Sequence, residues 1–145
     1  MSLNEYREPN LNSRNSARRS NKYPRLLFVD DDSALLEITT RFFEHLGYIV
    51  KTADGGSKAL ALIKESHDVF DIVITDYSMP GMDGIELAMS VNKLLPDTPV
   101  ILYTGKSEFI DKKQLSAAQI AEIVKKPCRL KELDTITKIL LNEKA

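Results

Sequence analysis

Between residues 25 and 142 short apolar runs alternate with stretches whose apolar residues recur three or four positions apart. Leu26-Leu27-Phe28-Val29 runs unbroken into Asp30, as expected of a strand buried on both faces. In "SALLEITTRFFEHLG", Leu35, Ile38, Phe42 and Leu46 fall at helical spacing, with Asp32 or Ser33 placed to cap the start and Gly47 to end it. "YIVKTA" (48–53) predicts a second strand, "GSKALALIKES" a second amphipathic helix, and "DIVITD" (71–76) a third, strongly apolar strand. "GIELAMSVNKLL" predicts a third helix with Pro96 just beyond it, and "PVILYT" (99–104) a fourth strand. A single fourth helix is expected over "SEFIDKKQLSAA". "AEIVKK" (121–126) is a weaker fifth strand whose charges suit a sheet edge, and "LKELDTITKILLN" a closing helix. Regular strand–helix alternation predicts an α/β fold, a doubly wound five-stranded parallel sheet with helices on both faces.

Residues 1–22 are rich in Asn, Ser and Arg with almost nothing to bury, so we expect a disordered polar, basic tail or linker over 1–24 and one globular unit over 25–145. Charge divides along the same line. The first 25 residues hold six of the 20 basic side chains and two of the 21 acidic ones, leaving 14 against 19, or near −5. A body of that sign has no evident footprint for nucleic acid, and the tail reads as a solvated linker rather than a phosphate- or membrane-binding arm. The apolar runs are far too short to span a membrane, and no signal peptide is visible. The lone Cys128 excludes an internal disulfide and offers no metal-binding pair. These features predict a cytoplasmic protein.

The candidate chemistry lies at strand ends. Asp30 and Asp31 close the first strand and Asp76 closes the third, so they share a rim if those strands are neighbours. In open parallel sheets the binding crevice lies beyond the carboxyl ends of the strands. Clustered carboxylates cannot all ionise cheaply without a counter-charge, and a hard divalent cation such as Mg²⁺ suits a site of few carboxylates plus water and a phosphate. Acids before a helix also serve as caps and favour the helix dipole, so "VDDD" alone leaves both readings open.

The combination is more specific. Asp30-Asp31, then Asp76 followed by "YSMPGMDG", then Thr104-Gly105 and Lys126-Pro127, stand in this order. From about Arg25 to Asn142 the chain resembles the receiver domain of two-component response regulators. The resemblance implies a flavodoxin-like strand order 2-1-3-4-5 and assigns roles by position. Asp76 would be the phosphoacceptor, attacking the phosphohistidine of a histidine kinase or phosphotransfer domain to become an acyl phosphate. Asp30, Asp31, Asp76 and the backbone carbonyl of Ser78 would hold Mg²⁺. Lys126 would pair with phosphoryl oxygens and Thr104 would hydrogen-bond them, both gaining a partner they otherwise lack. Asp32 fits a helix cap better than a ligand. Gly81 and Gly84 read as loop geometry, and Gly105 either as an opening to the site or as a turn residue. A cis bond before Pro127 is expected.

There are departures from the family pattern. Ile123 stands where many receivers have an aromatic that swings inward, and "SAAQIAEIV" lacks the usual "AGA" turn. Phosphorylation would be read out on the surface of the fourth helix, fifth strand and fifth helix, with Phe109, Ile110 and Leu115 as candidates and core packing the commoner use of such a Phe. The implied protein is no enzyme beyond its own phosphorylation and dephosphorylation, has an unknown downstream effector, contacts neither nucleic acid nor membrane directly, and could pair as a homodimer. It would be a stand-alone receiver, the receiver of a longer DNA-binding regulator, or that of a hybrid histidine kinase, to which "PVILYTGKSEFIDKK" is most similar. A rival class, the Mg²⁺-dependent phosphatases with an aspartyl nucleophile, places its acids as "DxDx" after the first strand. Here they are contiguous, and the best nucleophile ends the third strand.

Overall fold

The computed structural model describes residues 23–65 and 69–144; of the tail expected over 1–24, residues 1–22 lie outside them, while the Pro24 carbonyl accepts from the Ile49 N–H at 2.8 Å. Five parallel strands, β1 (Arg25–Val29), β2 (Ile49–Ala53), β3 (Ile72–Thr75), β4 (Val100–Thr104) and β5 (Glu122–Lys125), form one sheet in the order β2-β1-β3-β4-β5. The helices between and after them are α1 (Ser33–His45), α2 (Gly56–Glu65), α3 (Gly84–Leu94), α4 (Lys112–Ala117) and α5 (Leu130–Lys144). The expected fold class and strand order are both found.

Burial follows position in the sheet. β3 and β4 are buried throughout, and so is β1 after Arg25, whereas β2 and β5 mix exposed and covered positions as edge strands do. Successive side chains on a strand point to opposite faces, so β1 feeds two cores. Leu27 and Val29 pack with Ala59 and Ile63 of α2 and Leu87 and Val91 of α3. Leu26 and Phe28 pack with Phe43 of α1 and Leu133 of α5.

Two helical expectations are corrected. On α1 the buried line runs through Thr39 and Phe43, while Ile38 is 58% exposed and Leu46 is largely exposed. The covered face also takes in Leu35, Leu36 and Phe42, and the Phe43 ring stands edge-on to those of Phe42 and Tyr48. Gly47 ends the helix as expected. At φ 99°, it lets its own N–H reach Glu44 O and the Tyr48 N–H reach Phe43 O. The single fourth helix is broken in two. Ser107–Phe109 form one 3₁₀ turn, Ile110 is extended with its side chain buried, and α4 starts only after Asp111. A capping box between Asp111 and Gln114 sets this later start, and burying Ile110 requires the extended residue. At the far end of α4, Gln119 takes φ 53°, the left-handed conformation that suits glycine, where the usual "AGA" is missing. Among the described residues no helix is long and apolar enough to cross a membrane.

Register positions the site. Val29 pairs with both Ala53 and Thr75, so β1 and β3 end level and their next residues, Asp30 and Asp76, emerge side by side. The Asp76 N–H donates to Val29 O at 3.0 Å, extending the pairing one step past the strands. On the other side, Thr104 pairs with Lys125 and accepts from the Lys126 N–H at 3.0 Å, which brings Lys126 to the same rim.

Candidate functional site

Each of Asp30, Asp31 and Asp76 offers a carboxylate oxygen, and the three oxygens lie within 4.8 Å of one another. The three consecutive acids divide their work. Asp30 turns inward and is 1% exposed, Asp31 stays at the open rim, and Asp32 turns back to α1. Asp32 accepts from the N–H groups of Ala34 and Leu35 at 3.1 and 3.2 Å, so the capping role is found and Asp32 stands outside the carboxylate cluster.

Asp30 and Asp76 are each anchored at one oxygen by backbone. Asp30 Oδ1 accepts from the Asp32 N–H at 2.9 Å, and Asp76 Oδ1 from the Tyr77 N–H at 2.8 Å. Their other oxygens face Lys126, whose ammonium donates to Asp30 Oδ2 at 2.7 Å and lies 3.8 Å from Asp76 Oδ2. Burial pushes the Asp30 carboxyl above its ordinary value, partly offset by the Lys126 and Asp32 hydrogen bonds. Lys126 therefore already has a partner, contrary to the expectation that it lacks one. Thr104 is fully buried, and its Oγ1 accepts from the Lys106 N–H at 3.1 Å, which leaves its own O–H able to donate. The bond between Lys126 and Pro127 is cis, as expected.

Three carboxylates against one ammonium leave a local charge of about −2, which a divalent cation would match. The all-oxygen donor set and the buried, backbone-anchored Asp30 fit a small hard cation. Ser78 lies half-buried two residues past Asp76.

Two residues had a weightier place than their sequence context suggested. A Cβ on Gly84 would lie 2.9 Å from Tyr77 Cα and overlap the Asp76 carbonyl oxygen, so only glycine lets α3 start against the Asp76 backbone. The sequence signal was available in the capping box that Asp83 forms with Glu86, which fixes where that helix begins. Gly81 has φ 79° and is loop geometry, as read. Gly105 is different again: a Cβ there would meet only Lys126 Cβ at 3.8 Å, and its φ is not positive. The backbone conformation there therefore does not require glycine. Tyr103, the second residue, carries no signal in the sequence beyond its place in the apolar run of β4. It is buried, its ring centroid lies 5.3 Å from Lys126 Nζ, and its hydroxyl donates to Cys128 O at 3.2 Å. Ile123, half-buried, packs against the core that holds Leu27 and Val29, on the opposite face of the sheet from Tyr103. Phe109 is 69% exposed, whereas Ile110 and Leu115 belong to the core.

Residues 26–138 match the family described as response regulator receiver domain. The two-component response regulator ARR12 of Arabidopsis thaliana is 38% identical over 114 residues, covering 77% of this chain and 19% of the plant protein. The chain spans about a fifth of the length of such plant relatives. The response regulator receiver protein CpdR of Brucella abortus is 31% identical over 118 residues, covering 81% of this chain and 97% of CpdR. Among solved structures, response regulator TrrA of Thermotoga maritima, in complex with Mg²⁺–BeF, superposes with a TM-score of 0.72 at 32% identity, over 81% of this chain and 98% of TrrA.

Proposed function

The chain belongs to the response regulator receiver family, and from that premise we propose that Asp76 is its phosphoacceptor, served by Lys126, Thr104 and a Mg²⁺ ion. The observation that carries the reading is the meeting of Asp76 with Asp30, Asp31 and Lys126 on one rim, from three separated parts of the chain. Receiver domains take their phosphoryl group from histidine kinases or phosphotransfer proteins. In this chain a carboxylate oxygen of Asp76 forms the new O–P bond as the N–P bond of the donor phosphohistidine breaks. The electron pair of that bond stays on the imidazole, which takes up a proton. The Tyr77 N–H holds the other carboxylate oxygen, so the nucleophile is oriented before the donor arrives. Residues 25–145 form the unit that does this.

Mg²⁺, when held by Asp30, Asp31, Asp76 and the Ser78 carbonyl, supplies positive charge against the transferred phosphoryl oxygens. Its use is supported by the charge and donor set above and by the Mg²⁺–BeF bound to TrrA. Lys126 is poised between two carboxylates, so it reaches the phosphoryl group by giving up Asp30 rather than by entering from solvent. Thr104 donates its O–H to a phosphoryl oxygen while its Oγ1 goes on accepting from the Lys106 N–H. Because that bond ties residue 106 to the hydroxyl, movement of Thr104 toward the phosphoryl group draws the Gly105–Ser107 turn with it, and so the segment leading to α4. The signal therefore passes to the α4–β5–α5 surface without an aromatic at position 123. The chain catalyses only its own phosphorylation and dephosphorylation.

Incubation with acetyl phosphate and Mg²⁺ tests the reading by intact mass. The parent is expected to gain one phosphoryl group and Asp76→Asn none. Equal labelling of the two removes Asp76 from the role.

A further inference from the structure

The Lys126 side chain is long and rotatable, and fixing such a stem costs up to about 2 kcal/mol of rotamer entropy. Two carboxylates attract its ammonium from one side. On another side stands the Tyr103 ring, with its centroid 5.3 Å from Nζ, inside the reach of about 6 Å over which a ring face attracts a cation. Tyr103 pairs with Val124 across β4 and β5, two residues before Lys126. Its hydroxyl holds the carbonyl of Cys128, two residues after Lys126. The same ring lies 6.4 Å from the ring of Phe28 on β1, two residues before Asp30. One buried aromatic thus touches the segments that carry both halves of the Lys126–Asp30 pair.

We propose that Tyr103 is a positioning residue for phosphoryl transfer: its ring holds the Lys126 ammonium and its hydroxyl holds the turn that delivers it. Accepting that Asp76 is the phosphoacceptor and Lys126 its cationic partner, as this inference does, the ammonium can exchange Asp30 for phosphoryl oxygens while the ring keeps it at the site. An aromatic contact that Ile123 cannot make is supplied from the neighbouring strand.

The full chain is followed by intact mass during phosphorylation with acetyl phosphate and Mg²⁺. Tyr103→Leu is expected to phosphorylate about fivefold more slowly, which at 1.36 kcal/mol per tenfold is about 1 kcal/mol, the size of a cation–π contact. Tyr103→Phe, which keeps the ring and loses the hydroxyl, falls between Tyr103→Leu and the parent. Because Tyr103 acts through Lys126, Tyr103→Leu causes no further slowing in a Lys126→Ala background. A parental rate in Tyr103→Leu, or a loss that adds to that of Lys126→Ala, overturns the inference and leaves the Asp76 reading standing. A parent that takes no label overturns both. If Tyr103→Leu does not fold, NMR of the parent and Tyr103→Phe decides. The Lys126 Hε resonances are expected upfield under the ring current in both proteins, and ordinary lysine positions overturn the inference.

Discussion

Asp30 shows how one side chain is made costly for the sake of a site. It is 1% exposed, and its carboxyl lies above the usual 3.8 chiefly through burial, with Lys126 and the Asp32 N–H pulling it back. The folded protein thus holds the Asp30 proton more tightly than the unfolded chain does. Without metal, the stability this provides is fully present below 3.8 and is lost as pH rises through the raised folded value. Asp30→Asn is therefore expected to gain stability on the parent from acid to neutral pH in chelator-treated samples, measured by urea unfolding. Parallel curves for the two proteins would remove burial of Asp30 as a cost. The acids were legible in the sequence because they stand together at a strand end. The division of labour among them was only partly so: the capping role of Asp32 is local chemistry, whereas the Asp30–Lys126 bond joins residues 96 positions apart.

Elements are where local signals were strongest and where one was outvoted. The boundaries of α1 and α3 follow from an Asp cap at each start, and in α1 also from Gly47 at the end. A break at 107–111 was written in the Asp111…Gln114 pair, but the apolar spacing of Phe109, Ile110 and Leu115 concealed it until Ile110 had a core to enter. Glycines separate the same way. Gly84→Ala is expected to destabilise by more than about 2 kcal/mol, because its Cβ would meet backbone that cannot move aside without shifting Asp76. Gly105→Ala, with ordinary contact at 3.8 Å, should stay within about 0.5 kcal/mol. Denaturant midpoints of the two variants check this, and similar losses would contradict the close approach seen at α3.

For the whole molecule, the sheet order decides function. Between β1 and β3 the chain makes a full excursion through α1, β2 and α2, yet the two strands are neighbours and end level. A ligand of that rim binds the folded state alone, so Mg²⁺ at about a hundredfold excess over its dissociation constant should stabilise the fold by about 2.7 kcal/mol. Thermal melts with and without Mg²⁺ should show this rise in the parent and lose most of it in Asp31→Asn, whose side chain sits at the open rim. An equal rise in both proteins would place the ion elsewhere. The sequence alone determined the strand–helix alternation and the carboxylates, hydroxyl and lysine at its strand ends, because strand and helix periods and caps act within a few residues. Tertiary structure alone decided that Lys126 rests on Asp30 beneath the Tyr103 ring, and that Gly84 must admit the Asp76 backbone. Those contacts join distant segments, and they exist only once packing on both faces of the sheet has brought the strand ends together.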